Sequence, residues 1–267
     1  MNPPWSPARP AFGTWLKVPA PEVVEVLASS GLDFVVIDTE HAAFDVRTTS
    51  TMISVARSYG IPAFVRVPGH TARDVQPALD AGAAGLFVPH VDSVDDAREV
   101  VGACRFPPEG RRGASLLTRA GGWGQLKPAF YTDHGNRGVT LVAQLESPEA
   151  VTGAVSIAEV AGIDAVFIGS FDLAVAAGLE PGGEAAQELV QHAETVCRSA
   201  GVNFGRAAAT GADAAASLSR GHQFVMVASD AAFLAMSACE NVAEARVGIH
   251  SGAALPCETA LIRGESG

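Results

Sequence analysis

The chain is short of lysine: Lys17 and Lys127 are the only two among 267 residues. A Schiff-base mechanism would have to rest on one of them. Lys17 ends an apolar run, but no neighbour in sequence is placed to lower its pKa. Basic charge is scarce in general. Lys plus Arg total 18 against 29 for Asp plus Glu, and the formal net charge of -11 argues against nucleic acid or an anionic membrane surface as the main partner. The four cysteines, Cys104, Cys197, Cys239 and Cys257, are far apart and form no metal-type pair, so they read as structural thiols of a reduced, cytoplasmic protein. No apolar run approaches the ~20 residues of a membrane span, and the amino terminus MNPPWSPARPAF has no apolar h-region. GxSxG, Walker and GxGxxG patterns are missing as well. These absences leave a small-molecule enzyme as the best fit.

What the chain has is hydrophobic residues, 48% of the total, arranged in eight short runs. They are Phe12 to Val18, Asp33 to Asp38, Pro62 to Val67, Ala84 to Pro89, Val139 to Glu146, Asp164 to Gly169, Val202 to Arg206 and Gln223 to Ala228. Amphipathic segments such as PEVVEVLASSG and AAQELVQHAETVCRSAG lie between them, several closing on a glycine suited to cap a helix. This alternation predicts α/β architecture with a parallel sheet. Eight repeats in a chain near the ~250 residues typical of the fold favour a single-domain (β/α)₈ TIM barrel over an open sheet. We expect the barrel over residues 12–250, an N-terminal extension over 1–11 and a flexible tail over 251–267. The longest connection, 106–138, is rich in Gly, Pro and Arg and is expected near the active face.

The stretch VVIDTEH, Val35 to His41, reads as a buried strand delivering polar groups at its carboxyl end, where barrels carry out their chemistry. Read the same way, strand two offers Asp38, Glu40 and His41, strand three Arg66, strand five Gln144 and Glu146, and the loop after strand six Asp172. Asp80 falls just before strand four. Two carboxylates from neighbouring strands suit a hard divalent cation that keeps positions open for water and substrate. Other readings stand beside these. Asp172 fits equally as the cap of a helix starting at Leu173. Glu146 is not needed for capping, because Ser147 and Pro148 fill those positions. His41 has acids on both sides in sequence that could raise its basicity. Arg66 inside a buried strand requires a specific partner. Gly169 and Ser170, in FIGS, resemble an anion-holding turn.

Taken in order, GTWL, GLDFVVIDTEH, FVRVP, LDAGAAGLFVPHV, FPPEGRRG, VAQLESPEAV and GIDAVFIGSFDLAVAAG resemble the HpcH/HpaI aldolase family of metal-dependent pyruvate aldolases, over roughly Phe12 to Arg246. The resemblance implies metal ligands at Glu146 and Asp172 with Gln144 beside them. It implies His41 as catalytic base with Asp38 and Asp80 as supporting acids, and Arg66 steadying a keto oxygen. Trp15, Gly169, Ser170 and Phe171 become substrate contacts, with backbone amides around Phe171 and Asp172 receiving a carboxylate. The implied cofactor is a divalent cation, Mg²⁺ or Mn²⁺, with Co²⁺ or Zn²⁺ as further candidates. The implied reaction is reversible cleavage of a 4-hydroxy-2-oxo acid to pyruvate and an aldehyde. The implied assembly is a homohexamer, a trimer of dimers that exchange C-terminal helices, a role open to the segment from Ala231 to Val247.

Two rival readings remain: a related lyase or synthase acting on another 2-oxo acid or a CoA thioester, and a non-catalytic keto-acid-binding barrel. The intact set Glu146, Asp172, His41 and Arg66 argues against the second. The chain also departs from the family pattern. It reads GSFDLA where relatives commonly have GPADLS, which puts Phe171 beside the expected carboxylate pocket, and it carries His90 and Lys17 near the mouth.

Overall fold

Phe34–Asp38 is buried at every position, as a strand covered on both faces must be. The computed structural model describes residues 3–249. It closes such strands into a barrel in chain order, every neighbouring pair parallel and β1 paired with β8. The strands are β1 (Ala11–Leu16), β2 (Phe34–Asp38), β3 (Ala63–Arg66), β4 (Gly85–Val88), β5 (Thr140–Leu145), β6 (Ala165–Ile168), β7 (Phe204–Ala208) and β8 (Phe224–Ser229). The helices are α1 (Pro21–Ala28), α2 (Val46–Ser58), α3 (Ala72–Asp80), α4 (Val94–Cys104), α5 (Pro128–Arg137), α6 (Pro148–Ala158), α7 (Ser170–Ala176), α8 (Glu184–Ser199), α9 (Gly211–Ser219) and α10 (Asp230–Ile249). Each of the eight apolar runs coincides with a strand.

Strand period sorts the apolar residues into two layers. Leu16, Val35, Ile37, Val65, Leu86 and Leu141 belong to the outer layer, which also takes in buried residues of the helices. Phe34, Val36, Phe64, Phe87, Phe167 and Phe224 fill the barrel interior. Glycine makes room for the rings: a Cβ on Gly13 would run into the Phe34 ring, and one on Gly205 into the Phe224 ring. The inward series of β2 is therefore Phe34, Val36, Asp38, and that of β3 is Phe64, Arg66. Each strand carries an aromatic ring near its start and a charge at its end.

The foot of the barrel is closed by a residue outside the strands. Trp5 is 3% exposed, and its ring centroid lies 5.1 Å from Phe34, 5.3 Å from Phe64 and 4.3 Å from Phe224. The expected extension thus includes a plug, and β1 starts at Ala11 rather than Phe12.

The long connection corrects the expectation for 106–138. It follows α4, so it returns the chain to the strand starts, opposite the mouth. It contains a 3₁₀ turn at Gly122–Gly124 and the whole of α5. Arg105 fastens it by donating to the carbonyls of Gly135, Val139 and Gly162. At the other end of the chain, α10 contacts β1 and β8 and leaves Leu234, Met236 and Val242 exposed. The tail expected over 251–267 lies outside the described residues, as does Cys257. Cys104 and Cys197 are buried, and burial pushes their thiols up to about 12 and about 11. No helix among the described residues is long and apolar enough to cross a membrane.

Candidate active site

At the carboxyl ends of the strands, Asp38 is fully buried and accepts two bonds from Arg66: Nε to Oδ1 at 2.8 Å and Nη2 to Oδ2 at 2.6 Å. Lys17 Nζ donates to Oδ2 at 2.5 Å. Burial pushes the Asp38 carboxyl up, but the bonds and charges of Arg66 and Lys17 outweigh it and hold the group at about 2. The Arg66 guanidinium lies over Trp15, 4.5 Å from the ring centroid. Burial lowers the Arg66 pKa, and Asp38, Glu40 and Glu146 together more than reverse that. Lys17 is anchored through its backbone as well, because Asp230 accepts from the N–H groups of Lys17 and Val18 at 2.8 and 2.9 Å.

A second acidic group faces this pair from β5. Glu146 Oε1 accepts from Gln144 Nε2 at 2.5 Å, and Oε2 accepts from the His90 backbone N–H at 3.0 Å. Burial raises the Glu146 pKa; the His90 N–H works against this, while the charges of Asp172 and Glu40 add to it. A Cβ at Gly169 would meet Glu146 Cγ at 2.7 Å and Oε1 at 2.9 Å, so glycine is what leaves space for this carboxylate. Gln144 is 1% exposed and its Oε1 has no hydrogen-bond partner among the described residues; the same is true of Glu40 Oε2. Ser170, Phe171 and Asp172 form the first turn of α7, with Phe171 66% exposed. Among the described residues, no group of three or more His, Cys, Asp or Glu side chains is already drawn together as a ligand set. Even so, the carboxylates of Glu146, Asp172 and Glu40, with the spare Gln144 oxygen, make a donor set of the hard kind that suits Mg²⁺ or Mn²⁺.

The expected supports of His41 need correction. Asp38 accepts from the His41 backbone N–H at 3.2 Å, but its carboxylate is occupied by Arg66 and Lys17. The acid beside the imidazole is Glu40, whose Oε2 lies 3.8 Å from His41 Nε2. Asp80 is not at the mouth of this chain. It ends α3, pairs with Arg112 at 3.0 Å, and its carbonyl accepts from Ala120 in the long connection. A cavity of about 430 Å³ also sits at the foot, lined by residues that include Ile61, Ala83, Arg112, Arg119 and Tyr131. No carboxylate lines it, whereas a larger cavity of about 580 Å³ is lined by Ser170 and Phe171.

Residues 11–237 match the family described as HpcH/HpaI aldolase/citrate lyase. The chain belongs to that family. A hydroxypyruvate/pyruvate aldolase from Chromohalobacter salexigens is 33% identical over 234 residues, 86% of this chain and 91% of the relative. A 4-hydroxy-2-oxo-heptane-1,7-dioate aldolase from Salmonella arizonae is 36% identical over 233 residues, covering 86% and 88%. The crystal structure of an HpcH/HpaI aldolase/citrate lyase family protein from Burkholderia cenocepacia has a TM-score of 0.83 at 30% identity, over 89% of this chain and 95% of that one. This member of the HpcH/HpaI family is accordingly a carbon–carbon lyase.

Sequence reasoning brought Trp15, Asp38, His41, Arg66, Gln144, Glu146 and Asp172 to one end of this aldolase, which is where they stand. It undervalued Glu40, Lys17 and His90. Strand parity marks Lys17, which follows Trp15 by two positions and continues the inward face of β1. The same parity marks Glu40, two positions after Asp38, but not His90, which is out of step with the inward Phe87 of β4.

Proposed function

We propose that this aldolase uses a divalent cation to cleave a 4-hydroxy-2-oxo acid reversibly into pyruvate and an aldehyde. The observation that carries this reading is the convergence of the Glu146, Asp172 and Glu40 carboxylates, where burial first and the Asp172 and Glu40 charges after it raise the Glu146 pKa, with a Gln144 oxygen unbonded among the described residues, at a mouth that also holds His41 and Arg66. Glu146 and Asp172 would hold the ion, Mg²⁺ or Mn²⁺, with Co²⁺ or Zn²⁺ as alternatives. Such an ion, when bound, supplies Lewis acidity to the carboxylate and keto oxygens of a 2-oxo acid.

The chain's own groups supply the rest. Asp38 fixes Arg66 through Nε and Nη2, which leaves Nη1 without a hydrogen bond to the described residues and able to face the oxygen on which negative charge develops. The first turn of α7 leaves N–H groups of Ser170, Phe171 and Asp172 without intrahelical acceptors, and these receive the substrate carboxylate. His41, half exposed beside Glu40, removes a proton from the pyruvate methyl carbon in the synthetic direction, and Glu40 stabilises the imidazolium that forms. In synthesis the imidazolium then gives that proton to the aldehyde oxygen as the carbon–carbon bond forms; in cleavage the imidazole takes the 4-hydroxyl proton as that bond breaks and returns it to the enolate carbon. Exposed Phe171 walls the aldehyde side. Leu234, Met236 and Val242 on α10 support a homo-oligomer, a hexamer built as a trimer of dimers that cover these side chains by exchanging the helix. The buried reduced thiols fit a cytoplasmic location.

The test is exchange of the pyruvate methyl protons in D₂O, followed by NMR with Mg²⁺ or Mn²⁺, with EDTA, and with His41→Ala and Glu146→Ala. Exchange is expected only with a cation and both side chains intact. Absence of exchange with every cation would remove pyruvate as the donor.

A further inference from the structure

The connection after β4 brings an imidazole to the carboxylates. His90 has φ 52, a left-handed backbone that only a minority of non-glycine residues adopt, histidine more readily than most. Two bonds to the β5 side hold it there: its own N–H donates to Glu146 Oε2 at 3.0 Å, and the Val91 N–H donates to the Gln144 carbonyl at 3.3 Å. The ring therefore lies between two acids, with Nδ1 3.5 Å from Glu146 Oε2 and Nε2 3.7 Å from Glu40 Oε1.

Both separations exceed a hydrogen bond. They suit donors that share an ion: two atoms each about 2.1 Å from one octahedral centre lie roughly 3.0 Å apart when adjacent and roughly 4.2 Å apart when opposite. The ring is 65% exposed, so it is free to turn either nitrogen toward the space the carboxylates enclose. Glu146 is tied to His90 through the backbone, so the two donors are positioned together.

We propose that His90 is a third protein donor to the divalent cation, adding one imidazole nitrogen to the oxygens of Glu146 and Asp172. The proposal rests on the cation site put forward above. Its consequence is selectivity. Imidazole suits Co²⁺ and Zn²⁺, whereas Mg²⁺ prefers oxygen and gains little from nitrogen. His90 thus tunes which ion the mouth prefers, without itself touching substrate.

A competing arrangement has the opposite signature. If His90 is an imidazolium merely paired with Glu40 and Glu146, it repels the cation, and removing it strengthens binding of every divalent ion. The experiment uses the full-length protein without substrate. Calorimetry with Mg²⁺, Mn²⁺ and Co²⁺ is combined with electron spin echo envelope modulation of the Mn²⁺-loaded protein. The wild type is compared with His90→Gly, which tolerates the positive φ, and with His90→Asn, His41→Gln and Glu146→Ala.

Directly bound ¹⁴N modulation is expected in the wild type and in His41→Gln, and is expected to vanish in both His90 variants. Co²⁺ affinity should fall at least about tenfold in those variants, the loss that removing even an outer partner of a ligand can bring. Mg²⁺ affinity should change by less than about threefold, since oxygen donors dominate its binding. Modulation that is absent in the wild type or survives in His90→Gly overturns the proposal, as does tighter binding of all the ions. Glu146-dependent Mn²⁺ binding without His90-dependent modulation defeats this assignment alone. Failure of Mn²⁺ to bind in a Glu146-dependent way defeats the cation site as well.

Discussion

The two ends of the barrel are built from the same strands and differ in almost everything else. At the foot, Trp5 packs on Phe34, Phe64 and Phe224, and the interior is a stack of rings. At the mouth, the same inward faces end in Lys17, Asp38, Arg66 and Gln144, a network of buried charges and amides. The foot holds the barrel shut through dispersion and dehydration, and in doing so provides a rigid floor. The mouth concentrates groups that are costly to bury, which is tolerable because Lys17 and Arg66 share Asp38, Gln144 donates to Glu146, and the layer beneath does not yield. Stability and chemistry are thus divided along a single strand direction.

The largest effect is expected at the foot. Trp5→Ala removes a 3%-exposed ring with three aromatic neighbours and should cost about 3–5 kcal/mol in urea unfolding. Proton exchange per folded molecule should stay unchanged; a loss of activity larger than the loss of folded protein would break the division of labour. Next comes the pH dependence of the mouth. Asp38 is pushed up by burial but held at about 2 by Arg66 and Lys17, against 3.8 for an ordinary aspartate. Its folded pKa is therefore lowered. The stability it contributes, about 2 kcal/mol, is present in full above the ordinary value and disappears as pH falls through about 2. Unfolding curves between pH 5 and pH 2 should accordingly be steeper in pH for the wild type than for Asp38→Asn, and identical slopes would show that the buried network does not carry that energy. The smallest effect concerns the rim. Phe171→Ala opens the exposed wall beside Asp172 and should raise kcat/KM for bulky aldehydes relative to small ones by roughly tenfold, the scale of one or two methylene groups in a pocket. An unchanged acceptor range would show that Phe171 does not bound the aldehyde.

Much of this was readable in the chain. Eight apolar runs gave eight strands, and the period-two face that begins at Phe34 leads to Asp38 without any knowledge of the fold. The misplacement of Asp80 was avoidable: a residue just before a parallel strand must lie at the foot, and the structure pairs it there with Arg112. The same rule places the long connection before β5 at the foot. What no pattern revealed was pairing across loops. Asp38 was expected to serve His41, but two cations from β1 and β3 claim its carboxylate, and Glu40 stands by the imidazole instead. Trp5 was equally hidden, since a lone aromatic among prolines carries no periodicity.

The bonds from Lys17 and Val18 to Asp230 join positions 213 and 212 residues apart in sequence. The same closure pairs β1 with β8. A chain emerging from the ribosome can pair its first seven strands in turn, but it cannot fasten the Lys17 corner of the mouth until residue 230 has been made. Contacts of such long range come late and slowly in folding. During synthesis the incomplete barrel presents two open sheet edges at β1 and β7, and the last strand both seals those edges and completes the anchoring of the catalytic end.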